Sequence, residues 1–316
     1  MNAVYAAARL RYNPPMNNQD LLRRIESADI ACTREHYDIL TESEALLRKY
    51  STCDLDGAWV FIESKNGQRI GRVFGLGIEQ PASRQTLKTA VDWLFQQGAN
   101  SIRVRVCPVE GNAGLPAWLN DFGFTQTGHI EQWCVSSDPE FQPLQEPVSS
   151  KKLKPIRPRS LVCPFTIREI SIDASREFAS IVGTNYHLGK HTDLSWWERQ
   201  VGMPGCVAFV AYDEDVPVGT GMLQCREDQQ ICVLGYGTTL EAYRKRGLQN
   251  SMISVRLQKS RELGYSLAAA STFGTDQSSH NLRRQGFRHA GTIGVYTKNC
   301  TNSNFGILAK NGAQTK

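Results

Sequence analysis

The feature that most restricts the fold of this chain is an internal repeat. Leu119-Asn-Asp-Phe-Gly123-Phe124-Thr-Gln-Thr-Gly128-His-Ile130 and Leu282-Arg-Arg-Gln-Gly286-Phe287-Arg-His-Ala-Gly291-Thr-Ile293 both spell Leu-x-x-x-Gly-Phe-x-x-x-Gly-x-Ile. Each copy is preceded by an amphipathic helix, a glycine and a strand. In the first half these are residues 86–97, Gly98 and 101–107; in the second they are 248–263, Gly264 and 266–272. Matches at fixed spacing within one helix–strand–helix context indicate duplication of a whole unit. A length of 316 residues suits two such units better than a single core.

The two copies are separated by residues 138–164, which hold six prolines and no apolar periodicity. Proline denies such a stretch both a helix and an internal strand. The expected organisation is therefore 1–140, a linker over 141–163, and 164–316. Lys151, Lys152, Lys154, Arg157 and Arg159 lie in the linker without an acid among them. They account for the whole net charge of +5, so the flanking halves are close to neutral. The run reads as a solvated linker or, alternatively, as a contact for RNA or a membrane surface.

No apolar run approaches the ~18 residues of a membrane span, and residues 1–10 lack the apolar core of a signal peptide. The nine cysteines form no Cys-x-x-Cys pair. Free, mostly buried thiols in a reducing cytoplasm are expected, with Cys225 and Cys232 as core packing. No metal site is expected. His187-x-x-x-His191 has ligand spacing on a helix, but Gly189 interrupts it.

In the second half the pattern predicts a strand over 165–170, a helix over 173–185 capped by Asp173, and a short helix over 194–200. Strands at 206–212 and 216–224 are joined by Asp213-Glu214-Asp215, and a further strand spans 231–240. The helix, strand, helix and closing strand follow. This order implies an α/β fold with a mixed sheet and helices on both faces.

The chemically informative stretch runs from Val233 to Gln249. A strand ends, Arg244-Lys245-Arg246 form a basic turn, Gly247 follows and a long helix begins. A helix N-terminus presents N–H groups and partial positive charge, and glycine lets a phosphate approach the backbone. The same pattern also fits a βα turn with a solvated basic patch.

Here the chain resembles the GNAT superfamily of N-acetyltransferases. The superfamily signature Gln/Arg-x-x-Gly-x-Gly/Ala is matched by Arg244-Lys-Arg-Gly247-Leu-Gln249, with Gln249 departing from the small last residue. Ser278-Ser-His-Asn281-Leu-Arg-Arg-Gln-Gly286-Phe287 is similar to a late motif of that superfamily. The resemblance covers residues 164–298 well and the first half weakly, as in tandem GNAT proteins with a degenerate first copy. In that copy the corresponding loop, Gly77-Ile-Glu79-Gln-Pro81-Ala-Ser83-Arg84, offers a repelling carboxylate and a proline without a donor.

The resemblance implies two tandem GNAT-like acyl-CoA N-acyltransferase folds, with acetyl-CoA or another acyl-CoA bound as co-substrate by the second alone. Its pyrophosphate would meet Arg244, Lys245, Arg246, Gly247, Leu248 and Gln249. Thr239 and Leu240 would hold the pantetheine and polarise the thioester, and Ser278 and Asn281 would bond the pantetheine arm. For the last two, a helix N-cap and a satisfied surface amide are the structural alternatives.

Two side chains usual in the superfamily are missing. Val233 stands where a carboxylate base is often carried, and Leu282 where a tyrosine acid is. Gly235 and Gly237 follow Val233 along the strand, leaving space that a bulky acyl group or acceptor would fill. Proton transfer then falls to water, or to His187 or His191. These two belong, with Tyr186, Asp193, Trp196 and Trp197, to the expected acceptor loops. Tyr236 is the third candidate catalytic residue.

The expected reaction is acyl transfer to a primary amine of a small molecule or peptide by direct attack. The rivals are a GNAT-fold transferase using aminoacyl-tRNA as donor and a non-catalytic acyl-CoA sensor or interaction module.

Overall fold

The computed structural model describes residues 17–65, 67–138, 141, 163–185, 194–274 and 277–300. The basic run and all but the ends of the expected linker lie outside the described residues. In the first half the elements are α1 Asn18–Asp38, α2 Glu42–Leu47, β1 Ser51–Leu55, β2 Ala58–Lys65, β3 Gln68–Phe74, α3 Arg84–Gln96, β4 Ser101–Val106, α4 Leu115–Asp121 and β5 Thr125–Ser136. The second half has β6 Thr166–Ile170, α5 Ser175–Asn185, α6 Ser195–Arg199, β7 Cys206–Asp213, β8 Val216–Arg226, β9 Ile231–Thr239, α7 Leu248–Glu262, β10 Leu267–Thr272, α8 Gln277–Arg284 and β11 Arg288–Asn299. Asp173, expected to cap a helix, sits instead within a 3-10 turn, Ile172–Ala174, ahead of α5.

Among the described residues, all eleven strands join one mixed sheet in the order β1-β2-β3-β4-β11-β5-β10-β9-β8-β7-β6. The last strands of the two halves are exchanged. β11, from the end of the chain, lies beside β4 of the first half, and β5 lies beside β10 of the second. The repeat explains the junction. Ile130 and Ile293, the last residues of the two repeat copies, are register partners in the antiparallel β5–β11 pair. On either side of them Glu131 faces Thr292 and His129 faces Gly294, while Trp133 faces His289 and Gln126 faces Tyr296. Equivalent residues thus sit symmetrically about that central pair, as a duplicated unit related by a two-fold axis requires.

On one face of the sheet, Leu87, Ala90, Val91 and Leu94 of α3 cover Val60, Ile62, Val73, Ile102 and Val104. On the same face α7 sets Leu248, Met252, Ile253 and Leu257 against Leu223, Cys232, Leu234, Ala268 and Ala270. The opposite face carries α5 over β7 and β8. It also carries α1, which comes from the first half yet packs Leu21, Ile25, Ala28 and Cys32 on Cys134, Ile231, Val233, Leu267 and Ala269.

Polar bonds fasten α1 across the seam. Arg105 on β4 donates to Glu26 at 2.7 Å and to Asp29 at 2.8 Å, Gln132 on β5 donates to Glu26 at 2.9 Å, and Ser271 on β10 donates to Gln132 at 2.8 Å. Burial pushes the Glu26 carboxyl up, and Arg105 opposes that shift. Arg105→Leu is expected to cost about 3–5 kcal/mol, because it strands a buried carboxylate. Denaturant unfolding would measure the loss.

Cys225 and Cys232 are register partners on β8 and β9 and are joined as a disulfide, where two free thiols were expected. The other seven cysteines are free. Burial pushes the Cys107 and Cys134 thiols up to about 12, which leaves them protonated and unreactive near neutral pH. No helix among the described residues is long and apolar enough to cross a membrane.

Candidate active site

The parallel pair β9–β10 holds register only through Ile231–Leu267, Cys232–Ala268 and Val233–Ala269. Beyond Val233 the two strands part, although β9 runs on to Thr239 and β10 to Thr272. The cause is a bulge in β9. Its register against β8 shifts between Thr220 and Met222, and Tyr236 takes a positive φ of 49°. An extra residue bends a strand away from its neighbour, so the main chain after Val233 no longer serves β10.

Several groups hold the bulge in shape. The Thr220 hydroxyl donates to the Tyr236 carbonyl at 3.0 Å. Arg256, buried on α7, donates to the carbonyls of Gly235 at 3.0 Å and Met222 at 3.3 Å. Burial lowers the Arg256 pKa to about 10, so the guanidinium stays charged near neutral pH.

The space beside the glycines is taken by the chain's own side chains, in contrast to the expectation of a ligand there. A Cβ on Gly237 would lie 3.2 Å from Gln249 and 3.5 Å from Arg256, and one on Gly235 would lie 3.3 Å from Gln224. The bulge also separates the two positions: Gly235 looks toward Gln224, while Gly237 looks onto α7.

After β9 the chain makes a 3-10 turn, Glu241–Tyr243, and enters α7 through Gly247. Gly247 is the helix N-cap with φ 87°, a left-handed conformation suited to glycine. It gives α7 no side-chain cap, so the first N–H groups of the helix are presented at this turn. Arg244 folds back to the Thr239 carbonyl at 3.2 Å. Arg246 lies over the Phe165 ring at 4.6 Å and bonds Asp213 at 3.4 Å. Gln249, the departure from the expected small residue, turns its side chain under the strand and donates to the Thr239 hydroxyl at 2.9 Å. Gly237 and Gln249 are therefore complementary: the missing side chain on the strand accommodates the larger one on the helix.

The structure thus gathers Thr239, Leu240, Arg244, Lys245, Arg246, Gly247, Leu248 and Gln249 at one strand-to-helix turn, with Tyr236 at the bulge just before it. Leu248 is buried against Gly219 rather than facing outward. Ser278 and Asn281 are on α8. Ser278 is exposed, and the Asn281 amide oxygen accepts from Gln277 at 3.2 Å. Trp197 stacks edge-on to Tyr236 at 5.6 Å, and Trp196 adjoins it. Tyr186, His187, His191 and Asp193 lie outside the described residues.

Sequence reasoning missed His36. It comes from α1, 200 residues before Tyr236, and its Nδ1 is 2.9 Å from the Tyr236 hydroxyl. Its Nε2 is 3.0 Å from the Gln224 amide nitrogen. Burial drives the His36 pKa down to about 4, with Asp29 pulling weakly the other way. No local pattern could announce this contact. Arg256 was more accessible to sequence reasoning, since it continues the buried stripe of Leu248 and Met252 at helical spacing.

The first half is built differently at the equivalent place. Asn112, buried between the strand ends, donates to the carbonyls of Leu76 at 3.0 Å and Cys107 at 2.9 Å. It ties together the chain segments that leave β3 and β4. The Ser83 hydroxyl caps α3 by accepting from the Thr86 N–H at 2.9 Å.

Solved structures share the overall fold. A GCN5-related N-acetyltransferase from Kribbella flavida is similar over 90% of this chain and 98% of its own, with a TM-score of 0.57 at 17% identity. One from Sphaerobacter thermophilus is similar over 90% and 94%, with a TM-score of 0.54 at 14% identity. The fold is GNAT. A tandem GNAT protein from the clavulanic acid biosynthesis pathway, TM-score 0.53 at 11% identity, covers 77% of this chain and 78% of its own. No family model matches the chain, and no curated protein matches it. At these identities the GNAT likeness describes the fold, and chemistry has to be argued from the site.

Proposed function

We propose that the protein is an N-acyltransferase. It moves an acetyl or other acyl group from acyl-CoA to a primary amine of a small molecule or peptide, by direct attack and without a covalent enzyme intermediate. The observation that carries this reading is the parting of β9 and β10 after Val233 beside a helix entered through Gly247 without a side-chain cap. The turn from Arg244 to Gln249 suits a pyrophosphate, because N–H groups, partial helix charge and exposed cations converge there. The β9 main chain at Thr239 and Leu240 suits the amides of pantetheine. Ser278 and Asn281 are proposed to contact the same arm, and Tyr236 to touch the acyl group.

The first half is proposed to bind no acyl-CoA. Asn112 occupies the equivalent strand ends, and Ser83 already uses a helix N–H, that of Thr86, which a phosphate would need. Calorimetry with acetyl-CoA and CoA is expected to give one site per chain. Turnover of acetyl-CoA against a library of primary amines, followed by release of free thiol, tests the activity. Binding without turnover across acyl chain lengths would favour a non-catalytic sensor instead. Turnover only with aminoacyl-tRNA would move the donor to nucleic acid.

A further inference from the structure

Tyr236 is held by a group that neither the turn nor the second half supplies. The Gln224 amide nitrogen can only donate, so at 3.0 Å it leaves His36 Nε2 as an acceptor. The same amide also reaches Cys206. A neutral imidazole whose Nε2 accepts carries its proton on Nδ1. Nδ1 lies 2.9 Å from the Tyr236 oxygen, so it donates to that oxygen.

The backbone of His36 is fixed too. The Trp196 indole donates to its carbonyl at 2.6 Å, and Glu35 next to it pairs with Arg226 of β8. Phe178 and Trp197 meet the Tyr236 ring edge-on at 6.1 Å and 5.6 Å. Aromatic contacts therefore hold the ring, and a buried imidazole reaches its oxygen.

We infer that His36 of the first half is a positioning residue for Tyr236. The donor chain from Gln224 through His36 occupies a lone pair of the phenol oxygen, and this orients the phenolic O–H as a hydrogen-bond donor toward the reacting thioester. This role for Tyr236 rests on the acyltransferase reading; the donor chain itself does not. The buried, neutral state of His36 agrees with it, since burial holds the ring far below its ordinary pKa. The first half then has a function beyond closing the sheet, because α1 carries into the second half the residue that aims its tyrosine.

Nitrogen NMR of the uniformly labelled full-length protein tests the donor chain without acyl donor or acceptor. The six histidines keep the spectrum tractable, and loss of one signal set in His36→Asn assigns His36. The expected result near neutral pH is a neutral ring protonated on Nδ1. A ring protonated on Nε2, or an imidazolium, overturns the inference.

Kinetics test the consequence. Tyr236→Phe is expected to lower kcat by roughly 10²-fold, at the low end of the range for a positioned proton donor. His36→Leu should lower it by about tenfold or more with the acyl-CoA KM unchanged, and the double variant should be no slower than Tyr236→Phe alone, as for residues acting as one unit. His36→Asn can place an amide N–H where Nδ1–H was, and most of the rate should return. Wild-type kcat in His36→Leu, or additive losses in the double variant, overturns the inference. Correct Nδ1 protonation in a protein that turns over no acyl-CoA with any amine overturns the acyltransferase reading, and the role of Tyr236 with it.

Discussion

Residues 164–316 expressed alone are expected to be insoluble, or to melt far below the full-length protein. The truncated chain loses β5, which leaves β10 with an open edge, and β11 loses both of its partners, β4 and β5. Exposed edges invite pairing between molecules. It also loses α1, uncovering Ile231, Val233, Leu267 and Ala269, and it loses Trp133, which fills the core under α7. Burying one large apolar side chain is worth roughly 1.5–3 kcal/mol. Several such losses together reach the about 5–15 kcal/mol by which a domain is stable at all. Residues 1–141 supplied as a separate chain should restore a soluble complex, because the exchanged strands need no covalent link to pair. Likewise, cutting the intact protein within residues 142–162 should leave the two fragments eluting together. A monomeric 164–316 fragment with the full-length melting temperature would show that the exchange does not hold the halves.

Much of this architecture can be read from the sequence because local pattern determines it. The repeat, the helix entered at Gly247 and the strands on either side follow from spacing and glycine placement. The predicted spans 248–263 and 266–272 match Leu248–Glu262 and Leu267–Thr272 closely. What stays hidden is where each closing strand goes. Phe124 to Ile130 and Phe287 to Ile293 carry the same pattern, so nothing local states whether a copy closes on its own half or on the other. The site divides in the same way. Its basic turn from Arg244 to Gln249 is one continuous segment and therefore legible, whereas His36, Gln224 and Tyr236 meet only after α1 crosses the seam. Arg256 and Gln249 explain Gly237, and Gln224 explains Gly235, only once the strand meets α7 and β8, which is why empty space for a ligand was the natural expectation there.

Gly247→Asp should abolish acyl-CoA binding while leaving the fold standing, and this pairing of outcomes makes it diagnostic. Three effects act on binding together. A side chain at φ 87° is strained, by about 1–2 kcal/mol for a left-handed residue. The carboxylate can take the first N–H groups of α7 for itself, as the Ser83 hydroxyl does at the start of α3. It also sets a negative charge where the pyrophosphate would lie. Loss of about 3 kcal/mol raises Kd by roughly 10²-fold, enough to take a micromolar ligand out of calorimetric range. The second effect offsets the first in the unliganded protein, since aspartate is a good helix cap and stabilises the helix dipole. The melting temperature without CoA should therefore fall by only a few degrees. Gly247→Ala separates the contributions: it keeps the strain, adds neither cap nor charge, and should weaken binding by about tenfold at most. The reverse change in the first half, Ser83→Gly, uncaps α3 but should create no second site, because Asn112 still bridges the segments leaving β3 and β4. Unaltered CoA affinity in Gly247→Asp would show that the pyrophosphate lies elsewhere. Two sites per chain in the parent protein would show that the first half binds CoA despite its bridged strand ends.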